Sequence, residues 1–342
     1  MSEATERLFS YGTLRDPSVQ RALFGRELEG RADALPGWRV EPIAIRDSGV
    51  VSLSGMSVHQ AAVPGGPRCR IEGAALLLTP AELAAADAYE TADYERVRVT
   101  LASGAGSWLY RRAPVADPAL AELIAAEDRA LALLSAIERD ALVQPGRLET
   151  EVERDIAALA AGEFGVTDHW HDRIVRSGPN TLLTAGEPGA DRRIGSDDIV
   201  FLDLGPVFGA SEADVGRSYA FGPDLEKHRL VADLKRVFEA GRARWLADAG
   251  ITGAGLYAVA EAEAQARGWR FGGTIAGHVV GPFPYARSPA ARATGRIGPA
   301  NHTPMRDPDS DGRARYWILE VHLVEPGGRW GGFYERLLRP ER

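Results

Sequence analysis

The chain of 342 residues is poor in cysteine, in lysine and in long apolar runs. Its one cysteine, Cys69, has no partner for an internal disulfide, which excludes a disulfide scaffold and points to the cytoplasm. Lysine occurs only at 227 and 235, and arginine supplies the rest of the 40 basic residues. Against 48 acidic residues this leaves a net charge of -8 and a pI of about 5.5. There is no basic stripe, so nucleic acid is excluded as a partner. No apolar stretch approaches the ~18 residues of a membrane span, so no membrane partner is expected. The opening MSEATERLFSYG lacks the charged start and apolar run of a signal peptide. There is no internal repeat and no low-complexity tract. What is present is an apolar content of 45%, enough for two ordinary domains or one large one.

Two textures divide the chain. Residues 1–113 read as short strands between turns: RLFSYG, WRVEPIAI, IEGAALLL, YERVRVTL and SWLYRR. Thr79-Pro80-Ala81-Glu82 fits a capping box, with Thr79 as N-cap and Glu82 folding back. It opens a helix over 80–88 that delivers Tyr89 and Glu90 just past its end. Residues 114–118 read as a linker, and 119–342 as a second domain. There the spacing predicts a helix to about Ala141 and, after the Pro145-Gly146 break, a second one. Thr150 is the expected cap of that second helix, with Glu153 three residues on; Leu148, Val152, Ile156 and Leu159 share one face. Strands DIVFLDLG and EADVGRSYAFG follow, then helices over about 224–248 and 253–267. A long Arg-, Pro- and Gly-rich loop spans 286–314, and the chain ends in a hairpin. The pattern is α+β in two domains.

Five residues of the second domain carry chemistry: Asp203, Asp214, His278, Glu320 and Glu335. A turn at Gly327-Gly328 places Glu320 opposite Glu335 and Glu325 opposite Trp330. Carboxylates facing each other on a sheet stand about 4.5–5.5 Å apart at Cβ and repel, a cost that a cation removes. A turn at Phe208-Gly209 likewise predicts that Asp203 faces Asp214. His278, in AGHVVG, adds a nitrogen. Oxygen ligands with one imidazole suit Mn, Fe, Co or Zn, and two neighbouring ions better than one.

Residues 118–342 resemble the pita-bread metallopeptidases, a family that includes methionine aminopeptidase, aminopeptidase P, prolidase and creatinase. The resemblance rests on QPGRLETEVERDI, WHDRIVRSGPN, DIVFLDLGPVFGASEADVGRSYAFG, AGHVVG, WILEVH and FYERLL. It implies a pita-bread α+β fold and a site for two divalent ions. Asp203 and Asp214 would be the paired aspartates, His278 the lone imidazole and Glu320 the first glutamate, with Asp214 and Glu335 bridging. Glu325, in VEP, is the rival of Glu320; the pairing across the double-glycine turn favours Glu320. The family implies hydrolysis of an amide next to a small residue or proline in a small peptide, as by an aminopeptidase or an Xaa-Pro dipeptidase. It also implies a homodimer. Two family histidines have other residues in their place. Thr184 and Ala185 follow the SGPN segment, and Tyr285 follows GHVVG, where its hydroxyl can donate to an oxyanion. His302 is a further candidate for catalysis. So are His169 and His171, which HxH spacing on a strand would put on one face; structural roles are the alternative for all three.

In the first domain, RLFSYGTLRDP reads as a strand ending in a tight turn whose backbone N–H groups can cradle an anion. With Asp87, Tyr89, Glu90, Tyr94 and Arg96 it resembles the gamma-glutamylcyclotransferase-like (AIG2-like) family over residues 7–112. That resemblance implies a small β-barrel with flanking helices. Tyr11, Gly12, Thr13 and Leu14 would hold the glutamyl end of a gamma-glutamyl amide. Glu90 would take a proton from its α-amine as 5-oxoproline closes, and Thr91 stands where the family has Gly. The alternative function for the whole chain is therefore a cyclotransferase whose second domain is a non-catalytic metal- or peptide-binding module.

Overall fold

The computed structural model describes residues 5–45, 56, 58–90, 93–184 and 186–339; Thr91 and Ala185 lie outside these. The chain splits into two compact units, one up to Ala116 and one from Asp117.

The first unit is built on β1 (Glu6–Ser10), α1 (Pro17–Phe24), β2 (Gly30–Pro36), β3 (Trp38–Ala44), β4 (Val58–Pro64), β5 (Arg70–Leu78), α2 (Pro80–Tyr89), β6 (Tyr94–Thr100) and β7 (Gly106–Arg112). Its mixed sheet runs β2-β5-β1-β7-β4-β3, with β6 on β7. Adjacent side chains of β1 point to opposite faces, and both faces are cores. Leu8 packs with Leu76, Leu78, Ala86 and Tyr89, whereas Phe9 packs with Leu35, Ile71 and Leu109. A strand buried on both sides marks a sheet that curls around one core while helices cover the other. The capping box forms as its residues predict: Glu82 N donates to Thr79 Oγ1 at 3.2 Å, and Thr79 N donates to Glu82 Oε2 at 2.8 Å. It sets the phase of α2, so that Tyr89 ends the helix and Glu90 is the first extended residue beyond it.

The second unit comprises α3 (Pro118–Arg139), α4 (Glu149–Phe164), β8 (Ile174–Ser177), β9 (Ile199–Leu204), β10 (Val207–Phe208), β11 (Ser211–Glu212) and β12 (Val215–Ala220). It continues with α5 (Leu225–Ala247), α6 (Gly253–Ala266), β13 (Arg270–Phe271), β14 (Gly277–Val280), α7 (Pro289–Thr294), β15 (Tyr316–Val324) and β16 (Gly331–Leu337). Two local expectations need correction. Residues 117 and 118 start α3 rather than ending a linker: Asp117 is its N-cap, accepting from Ala119 N at 3.0 Å, and Pro118 is its first residue. And α4 is capped two residues earlier than expected, at Leu148. Glu151 reaches back to Leu148 N at 2.9 Å, and Thr150 instead donates its hydroxyl to Asp191 at 2.8 Å.

The sheet of this unit runs β13-β15-β16-β12-β9-β8, with β14 on β15. Strand β15 shows why it can carry a site. Trp317, Leu319, Val321 and Leu323 turn to Leu230, Leu234, Val237 and Phe238 of α5 in a core that α6 also joins. Glu320 and His322, on the alternate positions, are left for the other face. The architecture is thus α+β in two units, each built on a seven-stranded sheet. Among the described residues no helix is long and apolar enough to cross a membrane.

Candidate metal centre

Register brings the acids together. Glu320 pairs with Glu335, as the double-glycine turn predicts. Glu325 stays at the mouth of that turn, where Arg329 Nη2 donates to it at 3.0 Å. Asp203 does not face Asp214; its partner is Gly216. The turn centres on Gly209-Ala210, because Val207 pairs with Glu212 and Phe208 with Ser211. Gly209 takes the left-handed conformation (φ 64°) that the first central residue of a primed hairpin turn requires. Gly216 also pairs with Glu335, so one row crosses four strands: Asp203, Gly216, Glu335, Glu320. A Cβ at Gly216 would lie 2.7 Å from the Phe333 ring and 3.1 Å from Glu335 Cγ. The missing Cβ leaves room for the Phe333 ring and the Glu335 side chain.

Asp214, two residues before Gly216, is the hub. Its Oδ2 lies 3.0 Å from His278 Nε2, which is also 3.3 Å from Glu320 Oε1. Its Oδ1 lies 3.1 Å from His171 Nε2, which is also 3.3 Å from Asp203 Oδ1. Asp214 and Glu335 are each 2% exposed, and Glu335 Oε1 is buried with no hydrogen-bond partner among the described residues. Burial pushes the Asp203 carboxyl up to about 6 and Glu320 to about 7. Burial and the carboxylates of Asp214, Asp203 and Glu320 push Glu335 well above the usual range. At Asp214 the two imidazoles outweigh burial and hold it at about 2. The same carboxylates overcome burial at His171 and His278, which rise to about 10 and 9. Four carboxylates and two imidazoles around an orphaned buried oxygen fit divalent cations: cations satisfy the carboxylates without protons and leave the rings neutral.

Some of the surrounding residues escape sequence reasoning. Glu212, 1% exposed, accepts from Gly281 N and Ala286 N at 3.0 Å and so ties down the segment after β14; burial raises it to about 7. His171 and His169 do not share a face. His171 enters the acid cluster, while His169 meets Arg173 at 3.4 Å. The signal for His171 was Gly205 of the DLG motif, where a Cβ would overlap its imidazole. Tyr285 and His302 are placed elsewhere. The Tyr285 hydroxyl donates to Asp309 at 2.9 Å and lines an apolar cavity with Val280, Pro282 and Tyr316. His302 is exposed and lines an open cleft with Arg296 and Asn301. The walls of both lack the six clustered residues.

The first unit holds a cavity of about 560 Å³ lined by Tyr11, Gly12, Thr13, Leu14 and Glu90. Tyr11 fixes its floor, donating to Tyr110 O at 2.9 Å and accepting from Ala62 N at 2.7 Å. Asp87 pairs with Arg96 at 3.0 Å and accepts from the Tyr110 hydroxyl at 2.7 Å. Burial pushes the Glu90 carboxyl up to about 8.

The second unit is thus a pita-bread fold around an acid- and imidazole-lined centre, and the first a curled mixed sheet with Glu90 in the wall of a cavity. The model of metallopeptidase family M24 matches residues 121–306, more than half of the chain, and the protein belongs to that family. A second model, gamma-glutamyl cyclotransferase, AIG2-like, matches residues 8–128. No curated protein matches. Among solved structures, an X-Pro aminopeptidase from Thermotoga maritima MSB8 is 19% identical, with a TM-score of 0.51 over 66% of this chain and 62% of that one. A methionine aminopeptidase from Rickettsia prowazekii is 12% identical, with a TM-score of 0.50 over 64% and 91%. A prolidase from Thermococcus sibiricus is 21% identical, with a TM-score of 0.49 over 65% and 60%. The chain thus covers about three fifths of the length of the prolidase and of the X-Pro aminopeptidase, and the likeness is one of fold.

Proposed function

We propose that the protein is a metal-dependent hydrolase of an amide or peptide bond, with Asp203, Asp214, His278, Glu320 and Glu335 holding two divalent ions (Mn, Co, Fe or Zn). The observation that carries this reading is the convergence of Asp203 on β9, Asp214 just before β12, Glu320 on β15 and Glu335 on β16, whose Oε1 is buried with no hydrogen-bond partner among the described residues. Such ions supply Lewis-acid activation of an amide carbonyl and of water. Asp214, with one oxygen turned to each imidazole, suits the bridging role, as does Glu335. One of the two glutamates, Glu320 or Glu335, would move a proton between water and the leaving amine. The substrate is a small peptide with a small residue or proline at the scissile bond, the compartment the cytoplasm, and the assembly to test for a homodimer. Elemental analysis of protein purified without chelator should find about two equivalents of metal, and Asp214→Ala should lose them. Metal-free protein under every metal supplement would end this reading.

The Glu90 cavity favours a second activity. Glu90, held protonated up to about pH 8 by burial, becomes in its ionised form a base strong enough to take the proton of a substrate α-amine. The amine then closes on the γ-carbonyl, and the proton passes to the leaving amine. Tyr11, Gly12, Thr13 and Leu14 line the place for the glutamyl end. Release of 5-oxoproline from gamma-glutamyl amides, lost in Glu90→Gln with metal content unchanged, tests it. Failure of every such amide to turn over would leave the first unit without this role.

A further inference from the structure

We infer that His171 is a sixth ligand of the metal centre, so that each of the two ions is held by one imidazole. The inference rests on the metal reading above and adds a residue to it. The two histidines are arranged as counterparts about Asp214. His278 Nδ1 lies 3.0 Å from Val279 O, and its Nε2 faces Asp214 Oδ2 and Glu320. His171 Nδ1 lies 2.6 Å from Asp172 O, and its Nε2 faces Asp214 Oδ1 and Asp203. A backbone acceptor at Nδ1 fixes the proton there in the neutral ring and leaves the Nε2 lone pair for a cation. Donor atoms bound to one ion at about 2.1 Å stand roughly 3.0–3.4 Å apart. The 3.1 and 3.3 Å from His171 Nε2 to the two aspartate oxygens are such spacings.

The segment that delivers His171 is built for the purpose. Trp170 N donates to Gly205 O at 2.9 Å, its indole N–H donates to Ala213 O at 3.0 Å, and Arg287 Nε donates to Trp170 O at 2.7 Å. The Trp170 ring then packs edge-on against both imidazoles, with centroids 4.4 Å from His171 and 4.8 Å from His278. Gly205 leaves the space the His171 ring fills. A second nitrogen also moves the preference of the centre from Mn toward Co and Zn.

The full chain, stripped with chelator and titrated with Co²⁺ alone, provides the test. Wild-type protein should bind two equivalents. His171→Ala should hold one of them at least tenfold more weakly, with a changed visible spectrum that added imidazole restores; His169→Ala should match the wild type. A mutation-free reading comes from proton NMR of the Co²⁺-loaded wild type, which should show two solvent-exchangeable, hyperfine-shifted imidazole N–H signals. One such signal, or unchanged Co²⁺ binding and spectrum in folded His171→Ala, would overturn the role of His171 while leaving the metal reading intact. Failure of the wild type to bind Co²⁺ would remove both.

Discussion

The buried carboxyl of Glu90 sets a stability that must fall as pH rises. Its ordinary pKa is 4.5 and its folded one about 8. Below pH 4.5 both folded and unfolded chains hold the proton, and the group favours neither. Between 4.5 and about 8 the unfolded chain releases it and the folded chain keeps it. Each pH unit in that window costs the fold about 1.4 kcal/mol. At pH 7 the loss is about 3 kcal/mol, and it levels off at about 5 kcal/mol above pH 8. Glutamine has the shape of the protonated acid and no charge to release, so Glu90→Gln escapes this cost. The variant should equal the wild type within about 1 kcal/mol at pH 5 and exceed it by about 3 kcal/mol at pH 7. For a unit of this size that is a rise in melting temperature of roughly 10 °C or more. Scanning calorimetry of the full chain at pH 5, 7 and 8.5 reads it directly. In parallel, 5-oxoproline release by the wild type should climb with pH to a plateau above about 8 and be absent in the variant. A melting-temperature gap that does not widen between pH 5 and 8.5 would refute the reasoning, since it would mean that Glu90 ionises as freely in the folded chain as in the unfolded one.

Two further substitutions probe the second unit. Gly205→Ala sets a methyl group against the His171 ring; metal affinity should fall at least tenfold by Co²⁺ titration, with the melting temperature of metal-free protein little changed. Glu127→Ala leaves the guanidinium of Arg339, 4% exposed, without the carboxylate that its Nε meets at 2.7 Å, and removes the acceptor for Leu337 N. Asp128 still pairs with Arg339 Nη2 at 2.9 Å, so the loss expected in denaturant unfolding is that of the unsatisfied groups, about 1–3 kcal/mol.

What the sequence made legible follows from which constraints are local. The capping box at Thr79, the hairpin at Gly327-Gly328 and the paired Glu320 and Glu335 are each set within a few residues, and each forms as expected. Residues that meet only through the sheet were harder to place. His171 comes from an extended arm pinned along Gly205 to Val207 by Trp170 N to Gly205 O at 2.9 Å and Val207 N to Asp168 O at 3.0 Å. No periodicity announces such an arm. Tyr285 sits where the family pattern expects a histidine, yet its hydroxyl is taken by Asp309, which lies 24 residues on in a loop without regular structure.

The aspartate pair shows how a wrong register can leave a site intact. Centring the turn on Phe208-Gly209 puts Asp203 opposite Asp214; centring it on Gly209-Ala210 puts it opposite Gly216. The error shifts the partner by two positions, and two is the period of a strand, so Asp214 and Gly216 share a face. A shift of one would have sent Asp214 into the helix-covered core and dispersed the cluster. The true register also places a glycine in the row, directly between Asp203 and Glu335. A side chain there would meet Phe333 and Glu335 Cγ, whereas the empty position leaves the Glu335 side chain its place beside the strand that carries Asp203. Acidic spacing alone could therefore nominate the residues, but how they meet depends on an absence, the missing Cβ of Gly216, that becomes meaningful only once the strands are paired.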